Sequence, residues 1–429
     1  MNQSSALFVW YRQADARARR VFWTCSSAWA LDSMDGVVYS YLIPTLMTVF
    51  SMTLAEAQLI TSVNAITSAV GGWLGGWLCD RYGRARLLQI TVLWFSLFSF
   101  LSGFAANYEQ LMVIRLLQGL GFGAEWAVGA VLLGEMIRPE HRGRAVGAVQ
   151  SAAPLGAAMA ALLAGPLLSV LPAEYGWRVV FWIGMVPALL VFFVRRGDDD
   201  PEVYREARRR LAAERRDVHI LAIFSPRILR TTLLATLLAV GAQGAAYSIS
   251  NYLTPFLHNE RGLSVAAAGI YVLVNSLGGF FGVWVNAFFS DRFGRRAMFR
   301  VFGVGFMITS SFYLLAPLGN SAWTLLPAGM VYGFFQFGIY ASFGPYFTEL
   351  FPTEIRGSGQ SFAYNLGRAL SGVVFTMAVA RIARTLPVST SMLIMALIGI
   401  VCAIIATLML PETVGRDLSQ SAASRNSGN

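Results

Sequence analysis

Asp32 and Asp35 stand three residues apart in "WALDSMDGVVYSYLIP" (29–44), an apolar stretch with no basic residue in it. Neighbours at i and i+3 share a helix face. Two carboxyls crowded in apolar surroundings, with a cation in reach, can exchange a proton near neutral pH, because burial and repulsion oppose the pull of the cation. Arg115, Glu125 and Arg368 are the other ionisable residues deep inside apolar stretches. A charge in hydrocarbon costs a few kcal/mol or more, so each is a candidate for function with a partner to be named.

Depth narrows the partners. With a rise of about 1.5 Å per residue, Asp32 lies about 18 Å and Asp35 about 22 Å from Arg20. Arg115 enters from the other side and lies about 21 Å from the same face of a core about 30 Å thick. Asp35 and Arg115 therefore share a depth, and Asp32 is expected to compete for the same guanidinium. Proton coupling is expected at Asp35 or Asp32, with Arg115. Arg368, about 18 Å from Arg356, is near mid-depth. It keeps its proton, and a substrate carboxylate fits its planar fork; Asp32 or Asp35 across a cavity is the other candidate counter-ion. Gln243, Tyr247 and Asn251 form an i, i+4, i+8 stripe that can orient a substrate or bind a neighbouring helix. Tyr364 and Asn365 flank Arg368 as further candidates, with Gln336 and Tyr340 behind them. Glu125, about 80° around the helix from Arg115, is expected to act in structure or gating, near Arg142 or Arg144.

These residues need membrane helices to hold them. Of 429 residues, 56% are hydrophobic and 13% charged, which excludes an ordinary soluble domain. Twelve stretches reach the length of about 20 residues that a bilayer requires: 21–50, 55–79, 86–106, 110–137, 144–171, 177–194, 229–257, 265–289, 298–317, 322–350, 357–380 and 388–410. All 33 basic residues are Arg. With the N-terminus inside, 27 fall in cytoplasmic segments and four on the other side, which predicts both termini in the cytoplasm of a cell whose inner membrane the chain crosses. The net charge of +10 then reflects topology, and no nucleic-acid surface is needed. Ala28-Trp29-Ala30 faintly resembles a leader cleavage site, but the apolar run continues to Phe50. Cys25, Cys79 and Cys402 are scattered and His141, His219 and His258 lie at span ends, so no disulfide, metal or cofactor is expected. No nucleophile–base constellation suggests an enzyme.

The chain repeats itself. "DRYGRAR" (80–86) returns as "DRFGRRAM" (291–298), and "GEMIRPEHRGR" (134–144) as "TELFPTEIRGS" (348–358), at offsets of 211 and 214. "DPE" (200–202) is echoed by "LPE" (410–412). The expected architecture is all-α: a segment 1–20, a six-helix half 21–194, a charged linker 195–228, a second half 229–410 and a tail 411–429. Parallel repeats of this kind place a substrate site between the halves at mid-membrane. The alternating glycines of "GLGFGAEW" (119–126) lack the strand that a nucleotide loop needs and read as helix contact. The linker acids Asp198, Asp199 and Asp200 can bind a cation, although a solvated loop accounts for them.

At these motifs the chain resembles, end to end, a major facilitator superfamily transporter. "GGWLCDRYGRAR" resembles the loop motif after the second span, "RLLQGLGFGAEW" the fourth-span motif, and "ELFPTEIRGSG" with "PETVGRDL" the sugar-porter branch and its metabolite:proton relatives. "GAEW" followed by "RPEHRGR" is most similar to the organic-acid, sialate and aromatic-acid symporters. Ala287 stands where the second loop motif favours Gly, "DDPEVYREA" replaces the sugar porters' post-sixth-span motif, and their eighth-span Asn spacing is missing; all weigh against a sugar. The resemblance implies that Asp80 and Asp291 cap neighbouring helices and pair with Arg near them, Asp80 having Arg81, Arg84 and Arg86 at hand. Such pairs hold the outward-open state. Gly83, Glu135, Arg142, Arg292, Gly294, Arg295, Glu349 and Arg356 complete the implied gate, with Glu125. It also places Asp35 and Arg115 at the positions of the sugar porters' first-span acid and its Arg partner. The expected function is proton-coupled symport of a small organic carboxylate by a single chain in lipid. A neutral-solute symporter, a drug or metabolite exporter and a sensor on the same fold remain the alternatives.

Overall fold

The computed structural model describes residues 9–183, 200–214, 219–318 and 321–418. Asp198 and Asp199 and the end of the sixth span fall outside the described residues. After a short helix α1 (Val9–Gln13), the first half runs through α2 (Ala16–Val49), α3 (Leu54–Tyr82), α4 (Arg84–Ser102), α5 (Tyr108–Met136), α6 (Arg142–Val149), α7 (Ala152–Val170) and α8 (Ala173–Ile183). The linker forms α9 (Glu202–Ala213). The second half follows with α10 (Pro226–Ser250), α11 (Leu253–Asn259), α12 (Val265–Phe293), α13 (Arg295–Leu315), α14 (Ala322–Gly338), α15 (Phe343–Leu350), α16 (Arg356–Leu370), α17 (Thr376–Ile382) and α18 (Val388–Met409).

Helix starts follow their sequence signals. Thr53 and Glu56 form a capping box on α3, and Asn107 caps α5. Gly83 and Gly294, at φ of 113° and 98°, turn α3 into α4 and α12 into α13; this backbone region suits glycine. Small residues let helices touch. A Cβ on Gly123 would overlap the Ser68 carbonyl, and one on Gly333 the Asn275 carbonyl, so α3–α5 and α12–α14 are in backbone contact. Outward faces carry Ile66, Val70, Leu93, Leu97, Ile308 and Phe312 in the open, as lipid contact requires. Six of the described helices are long and apolar enough to cross a membrane.

Several spans expected as single helices are broken. The fifth is divided at Gln150–Ser151, between α6 and α7. The tenth passes through a 3-10 turn, Ile339–Ser342. The eleventh carries a π turn, Ser371–Phe375, between α16 and α17. A π turn inserts one extra residue into an α-helix and often marks a functional site. Below it Arg368 and Asn365 reach the first half. At its end Phe375 packs on Gly244 and Gly399 of its own half. The extra residue lets one span serve both.

Candidate functional site

The deep charges separate into two groups that the sequence did not distinguish. Asp35, 7% exposed, accepts hydrogen bonds from Arg115 Nη1 at 2.7 Å, Ser99 Oγ at 2.5 Å and Gln118 Nε2 at 3.1 Å. The Arg115 guanidinium lies between the rings of Tyr39 and Phe181, each centroid 4.7 Å away. The depth match of Asp35 and Arg115 is therefore a contact. A small cavity beside them is lined by Gly36, Tyr39, Asn64 and Gln118.

Asp32 does not compete for Arg115. It is fully buried and faces Glu125 at hydrogen-bonding reach, with Arg368 close enough to act on its charge. Among the described residues no N–H or O–H donates to either Asp32 oxygen. The expectation for Glu125 is corrected accordingly: Arg142 binds Glu349 at 3.1 Å, Arg144 pairs with Asp291 at 3.5 Å, and the carboxyl of Glu125 meets Asp32.

Arg368 stands between the halves. It is half-buried, donates from Nη2 to Ser68 Oγ and lies over the Phe122 ring at 4.2 Å. Tyr247, Tyr340 and Tyr364 surround it. Tyr364 stacks on Trp126 at 3.8 Å and bonds Gln150. Three other expected substrate residues make bonds between helices: Gln243 donates to Tyr364 O at 3.0 Å, Asn365 to Gly123 O at 2.7 Å and Asn251 to Thr376 Oγ1 at 2.9 Å. Ser68, Phe122, Trp126 and Gln150, which contact Arg368 or Tyr364, were missed, since nothing in their local sequence shows which neighbouring helix they face.

The Arg-rich end of the bundle is held by a two-fold network. Asp80 accepts from the N–H groups of Gly357 and Ser358 at 2.9 and 2.7 Å, capping α16. Asp291 accepts from those of Gly143 and Arg144 at 2.7 and 2.9 Å, capping α6. Each carboxylate thus sits on the N-terminal dipole of a helix in the opposite half. Glu135 binds Arg356 at 2.5 Å and Arg84 at 3.2 Å; Glu349 binds Arg142 at 3.1 Å and Arg295 at 2.9 Å. Asp80 pairs with Arg84, whereas Arg81 rests on Trp77 and Tyr82, and Arg292 on Phe293. Arg86 is exposed.

The linker and tail join this network, where a solvated loop was expected. Asp200 accepts from Ala85 N at 2.9 Å and Glu412 from Arg295 N at 2.9 Å, so the true counterpart of Asp200 is Glu412, two places off the "DPE"–"LPE" register. Tyr204 of α9 lies over Arg84 at 4.1 Å. Burial, opposed by that guanidinium, pushes its phenol up to about 12. Thr413 donates to Glu349 at 2.7 Å.

Two six-helix halves, locked at one end and meeting at mid-depth around a permanent cation, define a membrane transporter. The chain belongs to the Major Facilitator Superfamily, whose profile matches residues 25–376. It is 39% identical to a probable 4-methylmuconolactone transporter of Cupriavidus pinatubonensis over 95% of this chain and 94% of that one. It is 27% identical to the cis,cis-muconate transport protein of Acinetobacter baylyi over 89% and 92%, and 26% identical to the citrate-proton symporter of Klebsiella pneumoniae over 71% and 70%. Among solved structures, the proton:xylose symporter XylE bound to 6-bromo-6-deoxy-D-glucose superposes with a TM-score of 0.80 at 18% identity, covering 95% of this chain and 99% of that one. The partially occluded inward-open form of XylE from E. coli reaches 0.66, also at 18% identity, over 94% and 100%.

Proposed function

We propose that the protein carries a small organic carboxylate across the membrane together with a proton, by alternating access, and that Arg368 holds the carboxylate. The observation that carries this reading is Arg368: a cation that keeps its charge, half-buried at mid-depth between the halves, with one hydroxyl and one aromatic face against it. A carboxylate offers the planar bidentate partner that its fork suits. The names of relatives spread over muconate, 4-methylmuconolactone and citrate support an organic acid and a proton. Positive-inside bias assigns the Arg-rich end to the cytoplasm. The network of Asp80, Asp291, Glu135 and Glu349 then closes the cytoplasmic side. A single chain suffices, since both halves of the site are in it.

Uptake of labelled cis,cis-muconate, 4-methylmuconolactone, citrate and xylose into proteoliposomes, with and without an inward proton gradient, tests the reading. An acid that accumulates only on the gradient is expected. Arg368→Ala should weaken its binding by about 2–5 kcal/mol, and amidating the acid should weaken binding to the parent protein but little to that variant. An acid and its amide that compete equally for the parent protein would favour a neutral solute.

A further inference from the structure

We propose that the proton is carried by Asp32 and Glu125 acting as one site, a carboxyl pair spanning α2 and α5. The proposal rests on the carboxylate reading only for its anion. Asp32 is fully buried, and no N–H or O–H among the described residues donates to it. An ionised carboxylate left so is untenable in a low-dielectric interior. What faces it is a second carboxyl, Glu125, itself 3% exposed. Two facing carboxyls are held together by a proton, the hydrogen-bonded arrangement that like charges at this range require. Asp35 is the contrasting case. Its oxygens are occupied by Arg115, Ser99 and Gln118, so it needs no proton to be buried.

Besides Glu125, the charged groups that act on Asp32 are Arg368 from α16 and Asp35 from α2 itself. Asp35 is neutralised by Arg115, which leaves Arg368 as the acting charge. With one proton between them the two carboxyls bear a single negative charge, matched by the guanidinium. When a substrate carboxylate takes Arg368, that match is lost, and the pair becomes neutral by accepting a second proton. Anion and proton therefore strengthen each other's binding, as reciprocal linkage demands. The unit transported is one carboxylate with one proton, which enters and leaves through the pair.

Infrared difference spectroscopy of the purified protein reads the pair without any substrate. The parent at neutral pH should show a protonated-carboxyl band sensitive to H/D exchange. Asp32→Asn and Glu125→Gln should each remove it, because neither variant keeps two carboxyls to share a proton. A band that survives both variants, or one lost in Asp35→Asn instead, would overturn the proposal. In proteoliposomes the same two variants should exchange labelled for unlabelled cis,cis-muconate yet fail to accumulate it on a proton gradient; full accumulation by either overturns the pair as carrier. Parent vesicles that take up no carboxylate overturn the carboxylate reading, and the infrared band still decides the pair.

Discussion

At the scale of single residues, the two first-span acids do different work although they are three positions apart. Asp35 and Arg115 form a buried ion pair inside the first half. Removing one partner strands the other charge, at a cost of about 3–5 kcal/mol. Asp35→Asn and Arg115→Ala should each lower the melting temperature of the detergent-solubilised protein. The double variant should be less destabilised than the two losses added together, since neither charge is then stranded. Additive losses in thermal denaturation would refute the pairing as the source of stability.

The scale of elements explains what the sequence revealed and what it hid. The match between Asp35 and Arg115 was legible because both sit on continuous helices, where rise per residue sets depth. The partner of Glu125 was not. Axial arithmetic leaves about 12 Å between its level and that of Asp32, and it ignores the tilt between α2 and α5. Gln243 and Asn365 read as cavity residues because an amide that bonds a neighbouring helix and one that bonds a substrate look alike in sequence. The halves, their loop motifs and their ends were legible from repeats and Arg placement. The π turn after Arg368 had no sequence signal, and it is open to test. Nothing lies within 4 Å of a Cβ built on Gly372, so Gly372→Ala should leave uptake unchanged. Deleting Gly372 should restore a plain α-helix and rotate Arg368 by about 100° relative to Phe375. Uptake should then be lost while the protein remains monodisperse on size exclusion. Normal uptake by the deletion variant would show the turn to be incidental.

At the scale of the molecule, the two caps and two carboxylate–Arg clusters at the Arg-rich end are a symmetric lock. Each cap is a carboxylate of one half on a helix start of the other. Opening that end must break both sets together. Asp80→Asn and Asp291→Asn should each widen the distance between spin labels at positions 86 and 300, measured by double electron–electron resonance in a background lacking the three native cysteines. The double variant should widen it further. An unchanged distance distribution in all three would mean that the caps contribute nothing to the resting state.

The position of Arg368 opposite Asp32 and Glu125 has a consequence for leakage. A net charge buried between the halves is costly, so a carrier swings most readily when its centre is electrically neutral. If Asp32 and Glu125 share one proton as proposed, the empty protein satisfies this, with Arg368 against one shared negative charge. So does the protein holding both anion and proton. A proton alone leaves the centre positive, and an anion alone leaves it negative. On that proposal either half-filled carrier would be disfavoured from swinging, so the gradient would not be short-circuited and each turnover would move no net charge for a monocarboxylate.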